Sequence, residues 1–88
     1  MYDTKGRGGG YKVMMALKII DEVVPYILSS SDIIHRAARA YAWYIYLCRV
    51  GRKPGVKTDN YREWDNEDLR KIAEALVDYA KDLIEAFV

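Results

Sequence analysis

The helical spacing of the apolar residues is the feature that most constrains this sequence. Apolar side chains recur at intervals of three and four positions after Tyr11, again after Ile33, and again after Asp65. This spacing places them along one side of an α-helix and differs from the strict alternation of a half-buried strand. We therefore predict an all-α protein.

Two segments make up the first part of the predicted fold. Residues 1–10 contain four of the six glycines, and they predict a flexible basic arm because glycine loses the most conformational freedom on ordering. Residues 11–50 predict a long helical arm that is kinked or broken near Pro25. Proline lacks the backbone donor and clashes with the preceding helical turn. The serines and Asp32 that follow place the kink or break within residues 25–32.

The second part of the chain predicts a loop and a helix. Residues 51–64 contain two glycines and a proline and predict a basic loop. Residues 65–88 predict an amphipathic helix that starts at the N-cap Asp65. We expect the two helical arms to form an antiparallel hairpin, a single domain over residues 11–88, that packs into a helical assembly.

Charge is segregated along the chain, although the net charge is only +1. Residues 33–58 contain six basic side chains and no acidic one, whereas residues 59–88 contain nine acidic and four basic ones. This pattern indicates contact with a polyanion or head-to-tail contact between copies, and a solvated charge run is the alternative. The candidate phosphate contacts are Lys5, Arg7, Lys12, Arg36, Arg39, Arg49, Arg52, Lys53 and Lys57.

Apolar side chains are abundant for a chain of 88 residues, at 51% hydrophobic and 12% aromatic. The aromatic residues of the segment 41–47 point in different directions around a helix axis. We expect this segment and Tyr11–Leu28 to be buried against neighbouring subunits, and a well-filled monomer core is the alternative. The candidate subunit-interface residues are Met14, Ile19, Val23, Tyr26, Tyr41, Trp43, Tyr44 and Tyr46.

Several functional classes lack support in the sequence. His35 is the only histidine and Cys48 the only cysteine, so no zinc-binding spacing is present. No nucleophile, base and orienting group can be recognised together. The longest segments without a charge have nine residues, whereas a membrane-spanning helix needs about 20. We expect no catalytic activity, cofactor, metal site or membrane span.

The short chain, apolar bent helix, basic arm and helical hairpin resemble the major coat proteins of the clavaviruses, rod-shaped double-stranded DNA viruses of hyperthermophilic archaea. The absence of glutamine, together with abundant charge, also suits a thermostable protein. The resemblance implies a coat subunit that assembles into a helical virion in the host cytoplasm. It also implies basic side chains that hold packaged double-stranded DNA.

Two other functions stay open at this point. A small helical dimer that binds nucleic acid or acts as a regulator would keep the basic clusters and would need no filament. An extracellular pilus or filament subunit would use the apolar surfaces without binding nucleic acid.

Overall fold

The computed structural model describes the backbone of residues 4–87 and the side chains of residues 10–87. The helical elements are α1 (Thr4–Lys18), a π-helical segment (Ile19–Val23), α2 (Val24–Leu28), α3 (Ile33–Arg49), a 3₁₀ turn (Tyr61–Glu63) and α4 (Asn66–Glu85). Residues 4–87 contain no strand, so the all-α prediction is confirmed for the part of the chain that the structure describes.

The first three elements join into one long helix, residues 4–28. Pro25 lies in its last turns, where an ordinary α-helix would lose a hydrogen bond and meet the proline ring. The π-helical segment, which ends two residues before Pro25, widens the helix, and the Val24 N–H donates to the Ile19 carbonyl. The helix therefore continues past Pro25 and breaks only after Leu28, where Ser29 has an extended conformation. The predicted kink or break in residues 25–32 is confirmed.

The flexible arm predicted for residues 1–10 requires a correction from Thr4 onward. The structure continues α1 back to Thr4 through the glycine-rich segment. Once the apolar part of a helix is fixed, each further residue adds one hydrogen bond without a new nucleation cost. Residues 1–3 lie outside the described part of the chain.

Helix α3 has a defined signal at each end. At its N-terminus the Asp32 carboxylate accepts a hydrogen bond from the Ile34 N–H at 3.0 Å. At its C-terminus Gly51 adopts a positive φ of 83°, a conformation that glycine reaches without steric cost. The Gly51 N–H donates to the Cys48 carbonyl and the Arg52 N–H to the Leu47 carbonyl, which is a Schellman motif.

Helix α4 begins with a capping box and carries the centre of the core. The Asp65 carboxylate accepts from the Asp68 N–H, and the Asp68 carboxylate accepts from the Asp65 N–H. The predicted N-cap Asp65 is therefore confirmed. The core residues of α4 are Leu69, Ile72, Ala73, Leu76 and Ala80, each at most 2% exposed.

Helix α4 lies against both other long helices. It runs antiparallel to residues 4–28, so the predicted helical hairpin is present for the first part of the arm predicted over residues 11–50. The second part of that arm, α3, folds back as a third helix.

Helix α4 runs parallel to α3, because Arg36 near the start of α3 bonds Asn66 while Tyr46 near its end bonds Tyr79. Residues 50–65 must therefore return along the length of the bundle before α4 begins.

The returning segment is anchored by Trp64, which is 3% exposed. Its indole N–H donates to the Thr58 carbonyl at 2.7 Å, and its ring contacts Tyr41, Tyr44 and Tyr61. Within the described residues, no helix is both long enough and apolar enough to cross a lipid bilayer.

Candidate functional site

The solvent-facing side of α3 combines apolar and basic residues. Its exposed positions recur at three- and four-residue intervals and therefore form one continuous face. No acidic residue occurs between Ile33 and Thr58, so this face has no negative side chain of its own helix. We call it the α3 outer face, and it consists of Ile34, His35, Ala38, Arg39, Ala42, Ile45, Tyr46 and Arg49.

Two arginines and a nearby lysine give the α3 outer face its charge. Arg39 is exposed, and its guanidinium lies 4.8 Å from the centre of the Tyr26 ring. Arg49 is exposed at the end of α3, about 15 Å from Arg39 along the helix axis. Lys53 is exposed in the loop just beyond. Among the described residues, none of these three cations forms an ion pair with a carboxylate.

Two other candidate phosphate contacts are engaged within the molecule. Arg52 forms an ion pair with Asp82 of α4 and lies over the Tyr79 ring. The Lys57 ammonium lies 3.2 Å from an Asp65 carboxylate oxygen and 3.6 Å from one of Asp68. The Asp65 hydrogen bond raises the pKa of Lys57, so this lysine is already held by acids of the α4 N-terminus.

Arg36 was wrongly predicted as a phosphate contact, because it is only 4% exposed. It donates hydrogen bonds to the carbonyls of Ile27 and Ser31, each at 2.9 Å, and to the Asn66 side chain at 3.3 Å. Ile27 lies in the last turn of α2, where the carbonyls lack helical partners and the helix dipole favours a cation. Arg36 therefore caps α2 and fixes the break between α2 and α3.

The remaining candidate cations lie on α1. Lys12 is exposed, and its ammonium lies 5.5 Å from the centre of the Phe87 ring. The side chains of Lys5 and Arg7 lie outside the described residues, so their predicted role stays a prediction.

The predicted subunit interface is partly covered by the monomer itself. Ile19 is 1% exposed and Tyr44 2% exposed, so both were wrongly predicted as contacts with another subunit. The Tyr44 hydroxyl donates to Asp59, and this hydrogen bond, followed by burial, raises the Tyr44 pKa. The half-buried members of the predicted interface are Val23, Tyr26, Tyr41 and Trp43.

Met14 and Tyr46 are the predicted interface residues that stay well exposed, at 71% and 36%. The sequence predicted the segments Tyr11–Leu28 and 41–47 as interface and did not identify the other large apolar side chains that face solvent. Those exposed large apolar residues are Tyr11, Leu17, Leu28, Ile34, Ile45, Val50 and Phe87. The breadth of the apolar arc in α1 was the signal that one helix face has no cover in the monomer.

A groove of about 530 Å³ lies between α1 and α3. Among the described residues, no Cα atom of α1 lies within 8 Å of a Cα atom of α3. The two helices therefore pack on α4 without contacting each other and form the two sides of the groove. The groove is lined by Tyr11, Lys12, Met15, Ala42, Trp43, Tyr46, Tyr79 and Leu83. On its floor the Tyr46 and Tyr79 hydroxyls share a hydrogen bond of 2.7 Å.

The Tyr46–Tyr79 pair gives the fold a dependence on alkaline pH. Burial, followed by the Tyr46 hydrogen bond, raises the pKa of Tyr79 to about 12 from the usual 10.0. The protonated Tyr79 phenol makes its full contribution to the free energy of unfolding below pH 10. This contribution is lost as the pH rises toward 12. We expect Tyr79→Phe to flatten the fall in unfolding free energy between pH 10 and 12, as measured by urea unfolding. Parallel pH curves for the two proteins would contradict this.

Among the described residues, no group of three or more histidine, cysteine, aspartate or glutamate side chains is arranged to hold a metal ion. Comparison with known proteins gives no match to a family model, to a curated protein or to a solved structure.

Proposed function

We propose that this chain is a structural subunit that associates with copies of itself and binds nucleic-acid phosphates without reading base sequence. The observation that carries the proposal is the acid-free outer face of α3, on which Arg39 and Arg49 are exposed. Phosphate binding by such cations is electrostatic and insensitive to base identity. The proposal gives the chain no catalytic step.

The distribution of charge over the molecule supports this assignment. The solvent side of α4 exposes Glu67, Glu74, Asp78, Asp82 and Glu85. Its basic residues among those described are Arg70, Lys81 and the half-exposed Lys71, which pairs with Glu67. A polyanion is repelled from that side and attracted to α3. The orientation of a bound nucleic acid therefore follows from the two faces even though the net charge is only +1.

The most specific form of the proposal is a major coat protein of a rod-shaped virion that holds double-stranded DNA. Support comes from the elongated shape, 49 × 25 × 17 Å, and from the exposed apolar side chains of α1 and α3. Each subunit would contribute a weak phosphate contact, and many subunits in one assembly would hold the genome. The residues 41–47 add less support than the sequence indicated, because Tyr44 is buried within the monomer.

A dimeric nucleic-acid-binding protein is the second candidate. The burial of Tyr44 and the half-burial of Tyr41 and Trp43 favour it, because a chain that covers its aromatic residues needs less partner surface than a filament subunit. Electron microscopy of the concentrated protein with and without duplex DNA separates the two candidates. Regular filaments favour the coat protein, and discrete particles of two copies favour the dimer.

The double variant Arg39→Glu/Arg49→Glu tests the nucleic-acid contact directly. We expect affinity for two unrelated 30-base-pair duplexes, measured by fluorescence anisotropy, to fall at least tenfold. The slope of log affinity against log salt should become shallower by about 2, because roughly one unit is lost per phosphate contact.

The matched control is Arg70→Glu/Lys81→Glu, which makes the same change of charge on the acidic side of α4. It should leave affinity within about threefold of the wild type, since only the long-range field changes. Equal losses in the two double variants, or binding by the wild type that does not weaken with salt, would refute phosphate binding by α3.

A further inference from the structure

A polar cavity of about 340 Å³ lies where the break between α2 and α3 meets the start of α4. The polar side chains that line it are Ser29, Ser30, Arg36, Asn66 and Arg70. Two of these are guanidinium groups, and none of the described lining residues is acidic. The cavity shares no residue with the α3 outer face or with the groove between α1 and α3.

Arg36 is a buried cation that lacks an anionic partner within the described part of the chain. It is 4% exposed, and it takes part in none of the ion pairs formed there. Its acceptors are neutral, namely the Ile27 and Ser31 carbonyls and the Asn66 amide oxygen. The dipole of the helix that it caps offsets roughly half an elementary charge. Because a buried charge without a full partner is costly, this position favours an added anion.

The cavity also has hydrogen-bond donors to spare. A guanidinium has five N–H donors, and Arg36 uses one on each nitrogen, so two have no acceptor among the described residues. Arg70 is exposed at the cavity and forms no ion pair with a described carboxylate. The Ser30 hydroxyl is a further donor beside them. Several donors around one small volume suit a ligand with several acceptor oxygens.

The acidic residues nearest in the sequence have other partners. The Asp32 carboxylate accepts from the Ile34 N–H at the start of α3. Glu67 lies 3.7 Å from the Lys71 ammonium, and Asp68 belongs to the capping box of α4. None of these carboxylates lines the cavity, so they leave its positive charge for a ligand from solution.

We propose that this cavity binds a small tetrahedral oxyanion of the phosphate type, held by the guanidinium groups of Arg36 and Arg70. The ligand is a free ion and not the backbone of a nucleic acid, because Arg36 is too deeply buried to meet a duplex at the surface. This inference goes beyond the proposed function and uses none of the residues that carry it. A bound anion connects the α2–α3 break to α4 and therefore stabilises the bundle by mass action.

Isothermal titration calorimetry of the chain with inorganic phosphate, at ionic strength held constant with sodium chloride, provides the test. We expect saturable binding of one ion per chain. Arg70→Gln should raise the dissociation constant about tenfold, because a hydrogen bond to a charged group contributes enough for one order of magnitude. Arg70 is the residue to change because it is exposed, whereas loss of Arg36 should destabilise the fold.

The matched control is Lys81→Gln, which removes one exposed positive charge from the same helix outside the cavity. It should leave the dissociation constant within about twofold, since only the long-range field changes. Phosphate should also raise the melting temperature of the wild type more than that of Arg70→Gln. The general stabilising action of phosphate salts is common to both proteins and cancels in this comparison.

Three results would overturn the proposal. The first is heat that does not saturate, together with equal melting temperatures in phosphate and chloride. The second is an equal loss of affinity in Arg70→Gln and Lys81→Gln, which would indicate nonspecific screening. The third is loss of phosphate binding in Arg39→Glu/Arg49→Glu, which would place the ion on the α3 outer face.

The two proposals fail in different measurements. A chain that binds phosphate through Arg70 but does not bind duplex DNA would leave this site standing and refute the nucleic-acid function. A chain whose DNA affinity depends on Arg39 and Arg49, but which does not bind free phosphate, would refute this site alone.

Discussion

The variant Arg36→Ala is expected to lower the free energy of unfolding by about 3 kcal/mol or more. Removing the guanidinium leaves the Ile27 and Ser31 carbonyls without their donor, and an unsatisfied buried acceptor costs about 1–3 kcal/mol. Packing lost around a side chain that is 4% exposed adds to this. In a domain of this size, such a change lowers the melting temperature by roughly 12 °C or more.

Urea unfolding followed by circular dichroism measures this effect, with Arg49→Ala as the control. Arg49 is exposed on the same helix, so its loss should change stability by less than about 0.5 kcal/mol. Arg36→Lys should fall between the two, because an ammonium cannot reproduce the planar donor arrangement of arginine. Equal stabilities of Arg36→Ala and Arg49→Ala would show that Arg36 does not hold the α2–α3 break.

Trp64→Ala is the second substitution with a large expected effect, a loss of about 3–5 kcal/mol. Trp64 is 3% exposed and lies among Tyr41, Tyr44 and Tyr61, so alanine would leave a cavity lined by three rings. The variant would also lose the hydrogen bond that the Trp64 indole N–H donates to the Thr58 carbonyl within the returning segment. Thermal unfolding measures the loss.

Trp64→Phe separates packing from the hydrogen bond. Phenylalanine keeps most of the ring contacts but cannot donate to the Thr58 carbonyl, so we expect a loss of about 1–2 kcal/mol. If the phenylalanine variant lost as much stability as the alanine variant, the hydrogen bond rather than the packing would anchor the loop.

Local signals in the sequence were sufficient for the end of α3 and the start of α4. Asp65 and Gly51 act through neighbours within a few residues, so capping and positive-φ preferences identify them without knowledge of the fold. Pro25 was harder to interpret, because a proline can break a helix or be accommodated by a wider turn. The choice depends on what the rest of the helix contacts, which is not encoded locally.

The sequence predicted which side chains of the candidate site are charged, but it did not predict which of them are exposed to solvent. Arg36 and Arg39 are one helical turn apart and look alike in the sequence, yet one caps α2 and the other faces solvent. Tyr44 and Tyr46 differ in the same way, since the returning segment covers only Tyr44. These differences arise from contacts between residues that are 5 to 30 positions apart.

The parallel arrangement of α3 and α4 has a consequence for the order of folding. Residues 4–28 and α3 are joined by a four-residue break, but only α2 packs against α3, whereas the groove separates α1 from α3. Most of their apolar surface is covered only when α4 arrives, after closure of the long connection at residues 50–65. We therefore expect neither half of the chain to fold stably without the other. We expect a single proteolytic cut in that connection to destabilise the bundle, because the contacts of α4 with the other helices would no longer form within one chain.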